Sequence, residues 1–168
     1  MFFRSRIVAG VSLIFLSLAL TSCQYSLACW VVTGSSVRSL TLGISDRRDS
    51  QEKVQIKELY VYPCSKIQNR GSEGYYPRRN QATWAAVSQT EDAKPTTNTI
   101  VYGLTPPGLQ VVQNPQPLNM PGCYVALVYA TDTHGATRSA TTGFRIDMSG
   151  NVIEMSESEY RKIFGGTD

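Results

Sequence analysis

The sequence predicts an all-β protein, an antiparallel β-sandwich closed by a short C-terminal helix. Three observations carry this. Several apolar or alternating segments of strand length are separated by Gly, Pro, Asn and Asp turn signals. The run CYVALVYA at 123–130 is apolar on both faces, as a central strand requires, and the only capped helical pattern begins at Ser156. No internal repeat is visible.

The first 22 residues stand apart from that fold. Arg4 and Arg6 precede an apolar stretch at 7–20, broken only by glycine and serine, which is the charge-then-apolar order of a secretory signal. The stretch is shorter than the roughly 20 residues a membrane-spanning helix needs. It ends in Leu20-Thr21-Ser22-Cys23, which resembles the lipobox of bacterial lipoproteins. That resemblance implies cleavage before Cys23, acylation of Cys23, and an effectively permanent membrane anchor, since several acyl chains hold where one does not. Gln24 follows Cys23 and implies an outer-membrane address, on the periplasmic face. Cleavage leaves 146 residues with 14 basic against 13 acidic side chains, so the mature chain carries no electrostatic footprint for nucleic acid. The expected organisation is a signal peptide at 1–22, a lipidated tether at 23–36 and one domain at 37–168.

The tether is polar apart from Cys29, Trp30, Val31 and Val32, which read as a first short strand. SLTLGI at 39–44 alternates and is broken by a charged turn at 46–50. VQIKELYVY at 54–62 has a two-residue period at first, with Val54 and Ile56 on one face, and Pro63 ends it. A Gly-containing basic loop at 65–80 leads to a strand at 82–88 around Trp84. A polar turn at 91–98 precedes TIVYGL at 99–104, closed by Pro106, Pro107 and Gly108. A short strand at 109–112 stops at Asn114-Pro115-Gln116-Pro117, which cannot continue a sheet interior.

The segment GCYVALVYATDTHGATRSATTGFRI at 122–146 is two strands about a turn at Asp132 to Gly135. Gly122, Tyr124, Ala130, Thr131, Asp132 and Gly135 fill a pattern similar to the last two strands of bacterial immunoglobulin-like domains. The resemblance implies an Ig-like topology, with Tyr124 as the tyrosine-corner residue near the start of strand F. A further hairpin is expected at Ser149, Gly150 and Asn151. Ser156 and Glu159 then form a capping box, with Met155 and Tyr160 at the staple positions. Tyr160, Ile163 and Phe164 share a face that should dock on the sandwich.

Beyond Cys23, three cysteines remain, Cys29, Cys64 and Cys123, and three single pairings are open. An oxidising periplasm favours a disulfide. Cys64 with Cys123 is the expected pair, because each sits at the end of a predicted strand, leaving Cys29 as a thiol close to the membrane and outside the core.

No catalytic constellation is legible. His134 and Asp132 share a four-residue turn, where aspartate serves its own backbone, and His134 is the chain's one histidine. No Cys-x-x-Cys marks a zinc site, and Gly71-Ser72-Glu73-Gly74 lacks the lysine of a phosphate loop. No metal, cofactor or enzymatic activity is expected. Tyr75, Tyr76, Arg78 and Arg79 are the candidate partner-binding residues, since tyrosine and arginine are enriched at binding hot spots. The expectation is a lipid-anchored, non-enzymatic module that binds a protein partner or assembles in the envelope. The alternative is an immunity or inhibitor lipoprotein that neutralises a toxin or hydrolase acting in the periplasm.

Overall fold

A computed structural model describes residues 26–48, 50–67, 79–89, 96–132 and 134–164. Among these, ten strands and one helix form two antiparallel sheets packed face to face. The smaller sheet joins β1 (Ala28–Val31), β2 (Thr41–Ser45) and β6 (Thr99–Val101) in the order β1-β2-β6. The larger runs β10 (Val152–Glu154), β9 (Thr137–Ile146), β8 (Gly122–Thr131), β3 (Val54–Pro63), β4 (Trp84–Ser88) and β7 (Leu109–Gln113). A two-residue strand, β5 (Thr96–Thr97), pairs with Val54 and Gln55 at the start of β3.

The order is Ig-like. Lettering β1, β2, β3, β4, β6, β8 and β9 as A, B, C, C′, E, F and G gives A-B-E against G-F-C-C′. β7 and β10 extend the two edges of the larger sheet. The central strands β3 and β8 pair along nearly their whole length. The predicted tether needs correction: β1 lies within 23–36, and Leu27 is already buried in the core. Alternating apolar residues at 27, 29 and 31 are enough to pair and bury this segment, so the fold begins well before residue 37.

The core between the sheets is built from Leu40, Leu42 and Ile44 on one side and Ile56, Leu59, Val61, Trp84, Val128 and Phe144 on the other. Each fully buried aliphatic or aromatic side chain contributes roughly 1.5–3 kcal/mol. Trp84 meets Tyr102 edge to face at 5.2 Å, closing the core beneath the 102–118 segment. The Tyr102 hydroxyl in turn donates to the Gln116 carbonyl at 2.7 Å, which holds the Pro-rich segment against the sandwich.

β3 changes phase in its middle. Ile56 faces Ala130 and Glu58 faces Tyr129 across the ladder, so Lys57 is an extra residue, a β-bulge. Before it Val54 and Ile56 point into the core; after it Leu59 and Val61 do. Gln55, Glu58, Tyr60 and Tyr62 are left for the outer face.

The helix α1 (Glu157–Phe164) is capped as its sequence predicts: the Ser156 N–H donates to Glu159 Oε2 at 2.9 Å and the Glu159 N–H to Ser156 Oγ at 3.3 Å. It docks on β9. A Cβ on Gly143 would lie 2.9 Å from both Met155 Sδ and Tyr160 Cδ2, so the missing side chain at 143 is the seat of the staple pair. An Arg145–Glu159 ion pair flanks it.

Candidate binding face

The outer face of the larger sheet carries a second apolar cluster, separate from the inter-sheet core. Tyr60, Tyr62, Ala85 and Leu127 are buried there, with Val87 and Tyr129 half-buried against them. Tyr60 and Tyr62 come from alternate positions of β3 and stack with ring centroids 5.8 Å apart. Tyr129 stands on the neighbouring strand β8, opposite Glu58.

Polar groups converge on this cluster. The Tyr60 hydroxyl donates to Glu58 Oε2 at 2.5 Å, and Arg79 Nη2 donates to Glu58 Oε1 at 3.0 Å. The Arg79 guanidinium also lies over the Tyr60 ring, 5.8 Å from its centroid. Beside them opens a depression of about 360 Å³ walled by Lys57, Tyr62, Tyr129 and Thr137. The Glu58–Arg79 pair also borders a second hollow, about 780 Å³, floored by Gln55, Val87 and Thr131.

Burial holds the Tyr60 phenol well above its ordinary range, reinforced by its bond to Glu58 and by that carboxylate's charge. Burial pushes Tyr62 up to about 12. Both phenols are therefore neutral at any physiological pH, fit to donate and stack but not to act as bases. The arrangement offers aromatic area, neutral hydroxyls, one carboxylate and a guanidinium on a rigid sheet. Aromatic and arginine side chains of this kind are enriched at the centres of protein interfaces.

Of the predicted binding residues, Arg79 is brought into this cluster, in a 3-10 turn over 79–81. Tyr75, Tyr76 and Arg78 lie outside the described residues, as does the lipidation residue Cys23. Glu58, Tyr60, Tyr62 and Tyr129 were not among the sequence candidates. The signal for three of them is the alternation of ELYVY, where 58, 60 and 62 share a face once the bulge at Lys57 is allowed for.

The predicted disulfide is present: Cys64 and Cys123 are bonded, with Cα atoms 5.3 Å apart. It joins the chain just past β3 to the start of β8, where Pro63 already pairs with Tyr124. Cys29 differs from expectation. It sits within β1 opposite Ile44 and packs against the core rather than outside it. Burial, and then the nearby Glu154 charge, push its thiol up to about 12, so it is held protonated at neutral pH.

Asp132 serves the β8–β9 turn, as the sequence suggests. Its Oδ1 accepts the N–H groups of His134 and Ala136, each at 2.9 Å, and its Oδ2 accepts Arg138 Nε at 3.0 Å. The Ala136 N–H, then Arg138 and His134, hold its carboxyl below the usual carboxylate range.

No protein family, curated protein or solved structure matches this chain, so the reading of its surface rests on geometry and sequence.

Proposed function

We propose that this chain is a lipoprotein anchored through Cys23 in the outer membrane, facing the periplasm, whose sandwich is a non-enzymatic protein-binding or envelope-assembly module. The partner docks on the outer face of the larger sheet. The observation that carries this reading is the convergence of Tyr60, Tyr62, Tyr129, Glu58 and Arg79 around an open 360 Å³ depression. Aromatic and arginine side chains at the centre of a concave, pre-organised surface are the groups that dominate protein interfaces. The lipobox at Leu20 to Cys23 supports the address.

The test is a cross-linked affinity pull-down of the lipidated protein from its own envelope, comparing the parent with Arg79→Glu and Tyr129→Ala. Arg79→Glu loses the bond to Glu58 and sets two carboxylates side by side, and Tyr129→Ala loses a half-buried ring. The melting temperature of each variant is therefore measured, and the pull-down is run where both remain folded. Loss of a parental partner from both variants is the expected result. A partner retained undiminished by both would mean the face is wrong. Recovery of a single toxin or hydrolase in a one-to-one complex would identify the protein as an immunity or inhibitor lipoprotein acting through the same face.

A further inference from the structure

The anchor and the fold together constrain how the domain stands. Leu27 is buried and β1 begins at Ala28, so folded structure starts four residues after Cys23. Four extended residues reach at most about 14 Å. By contrast β8 is ten residues long, and a strand of that length spans about 33 Å. The tether is much shorter than the domain is tall.

The strand pairing says which end is tethered. Ala28 pairs with Ser45, the last residue of β2, so the start of β1 lies beside the turn from β2 to β3. β8 runs antiparallel to β3, and Thr131 pairs with Gln55, so the turn from β8 to β9 is at the same end. The start of β6 is there too, through the pairing of Thr99 with Gly43. The opposite end holds the Cys64–Cys123 disulfide, the β9–β10 turn and the residues that follow β6. Exposed large apolar side chains gather at that opposite end: Leu104, Met120 and Met148. Met120 Sδ would lie 3.3 Å from a Cβ on Gly150, which puts it against the turn that carries Met148.

Resting on the lipid-anchor reading above, we infer that the sandwich is held upright on the bilayer. Its β2–β3 and β8–β9 turns face lipid headgroups, and its disulfide end with Leu104, Met120 and Met148 points away. The inverted orientation would lift Leu27 by about the height of the sandwich, roughly 33 Å, more than twice what the tether spans. In the upright pose the face around Tyr60 and Arg79 stands side-on to the membrane at mid-height, open to a partner that is itself membrane-bound. The turns at the foot of the domain carry basic and acidic side chains together, including Arg47, Glu52 and Lys53, so tether length sets the pose and charge does not.

The lipidated protein in vesicles doped with a nickel-chelating lipid tests this. Spin labels are placed at Lys53→Cys, in the β2–β3 turn, and at Ser149→Cys, in the β9–β10 turn; the unsubstituted protein controls for Cys29. The label at 53 should relax several-fold faster than the label at 149. A 20-residue Gly/Ser insertion after Gln24 should abolish that difference. Equal relaxation at both sites in the uninserted protein, or faster relaxation at 149, would overturn the pose. Incorporation of a palmitate analogue, lost in Cys23→Ala, is followed in parallel. Its absence would overturn the anchor and the pose together, whereas incorporation with equal relaxation would overturn the pose alone.

Discussion

The Tyr124 hydroxyl accepts the backbone N–H of Asn119 at 2.6 Å, tying the start of β8 to the chain that enters it. Gly122 makes that closure possible, because a Cβ there would lie 2.4 Å from the Asn119 carbonyl oxygen and 2.6 Å from the Tyr124 ring. The tyrosine corner implied by the Gly-x-Tyr pattern is thus present, and it stacks on Phe144 at 5.6 Å.

Tyr124→Phe keeps the ring and loses the hydrogen bond, so it should destabilise the fold by about 1–2 kcal/mol. Gly122→Ala should cost more, since the clash is with backbone that cannot swing aside. Urea midpoints of the two variants against the parent check both; a Gly122→Ala midpoint above that of Tyr124→Phe would contradict the steric account.

The disulfide closes a span of 59 residues. Replacing Cys64 and Cys123 by serine together should lower stability by about 2–5 kcal/mol, read from urea unfolding. Cys29 gives an independent check on the pairing. In a Cys23→Ala chain with the disulfide intact, an aromatic disulfide reagent at pH 8 should find no reactive thiol in the folded state. It should find one after denaturation without reductant, because partial burial against the core keeps this thiol protonated in the folded state.

The docked helix hangs on a missing side chain. Gly143→Val would fill the seat of Met155 and Tyr160 and displace α1 while leaving the inter-sheet core intact. An eight-residue helix is unstable alone, so amide protection over 157–164 should fall to near zero. Protection in β3 and β8 should persist. Uniform loss throughout the sandwich would show that the helix is not a separable unit.

Asp132 sets an acid limit on the β8–β9 hairpin. Its carboxyl is held below the ordinary value of 3.8, chiefly by the Ala136 N–H and then by Arg138 and His134. A depressed folded value means its contribution is complete above the unfolded value and is lost as pH falls through the folded one. Asp132→Asn should therefore be less stable than the parent at pH 7, and the gap should close as the pH drops below 3.8. A gap independent of pH would assign the effect to shape rather than charge.

Much of this architecture is legible in the sequence because its signals are local. The run at 123–130, the turn at Asp132 to Gly135, the Ser156–Glu159 box and the Pro-rich stop at 114–117 each act within a few residues, and each appears as read. The disulfide followed from strand ends. What was missed depends on contacts far apart in sequence. The sequence marks a short strand at 29–32, but not that it belongs to the domain rather than to the tether at 23–36, because its burial depends on β2 and the core and not on its own length. β5 has only two residues and exists because the start of β3 offers it an edge. The candidate site was half legible: Arg79 stood out by type, but its partners Glu58 and Tyr60 lie 21 and 19 residues upstream and meet it only through the fold.

The bulge at Lys57 makes β3 two strands in one frame. Up to Ile56 the even-numbered residues face the core, and from Leu59 the odd-numbered ones do. Deleting Lys57 would only remove the bulge, leaving Ile56, Leu59 and Val61 inward and Glu58, Tyr60 and Tyr62 outward in one regular alternation. Deleting a residue beyond it, such as Tyr60, would instead turn Tyr62 inward and Val61 outward. Adding or removing a residue in the β2–β3 turn would alter no parity at all. Length changes only a few positions apart therefore carry opposite consequences, and the inherited length of β3 specifies the surface as firmly as the identity of the residues on it.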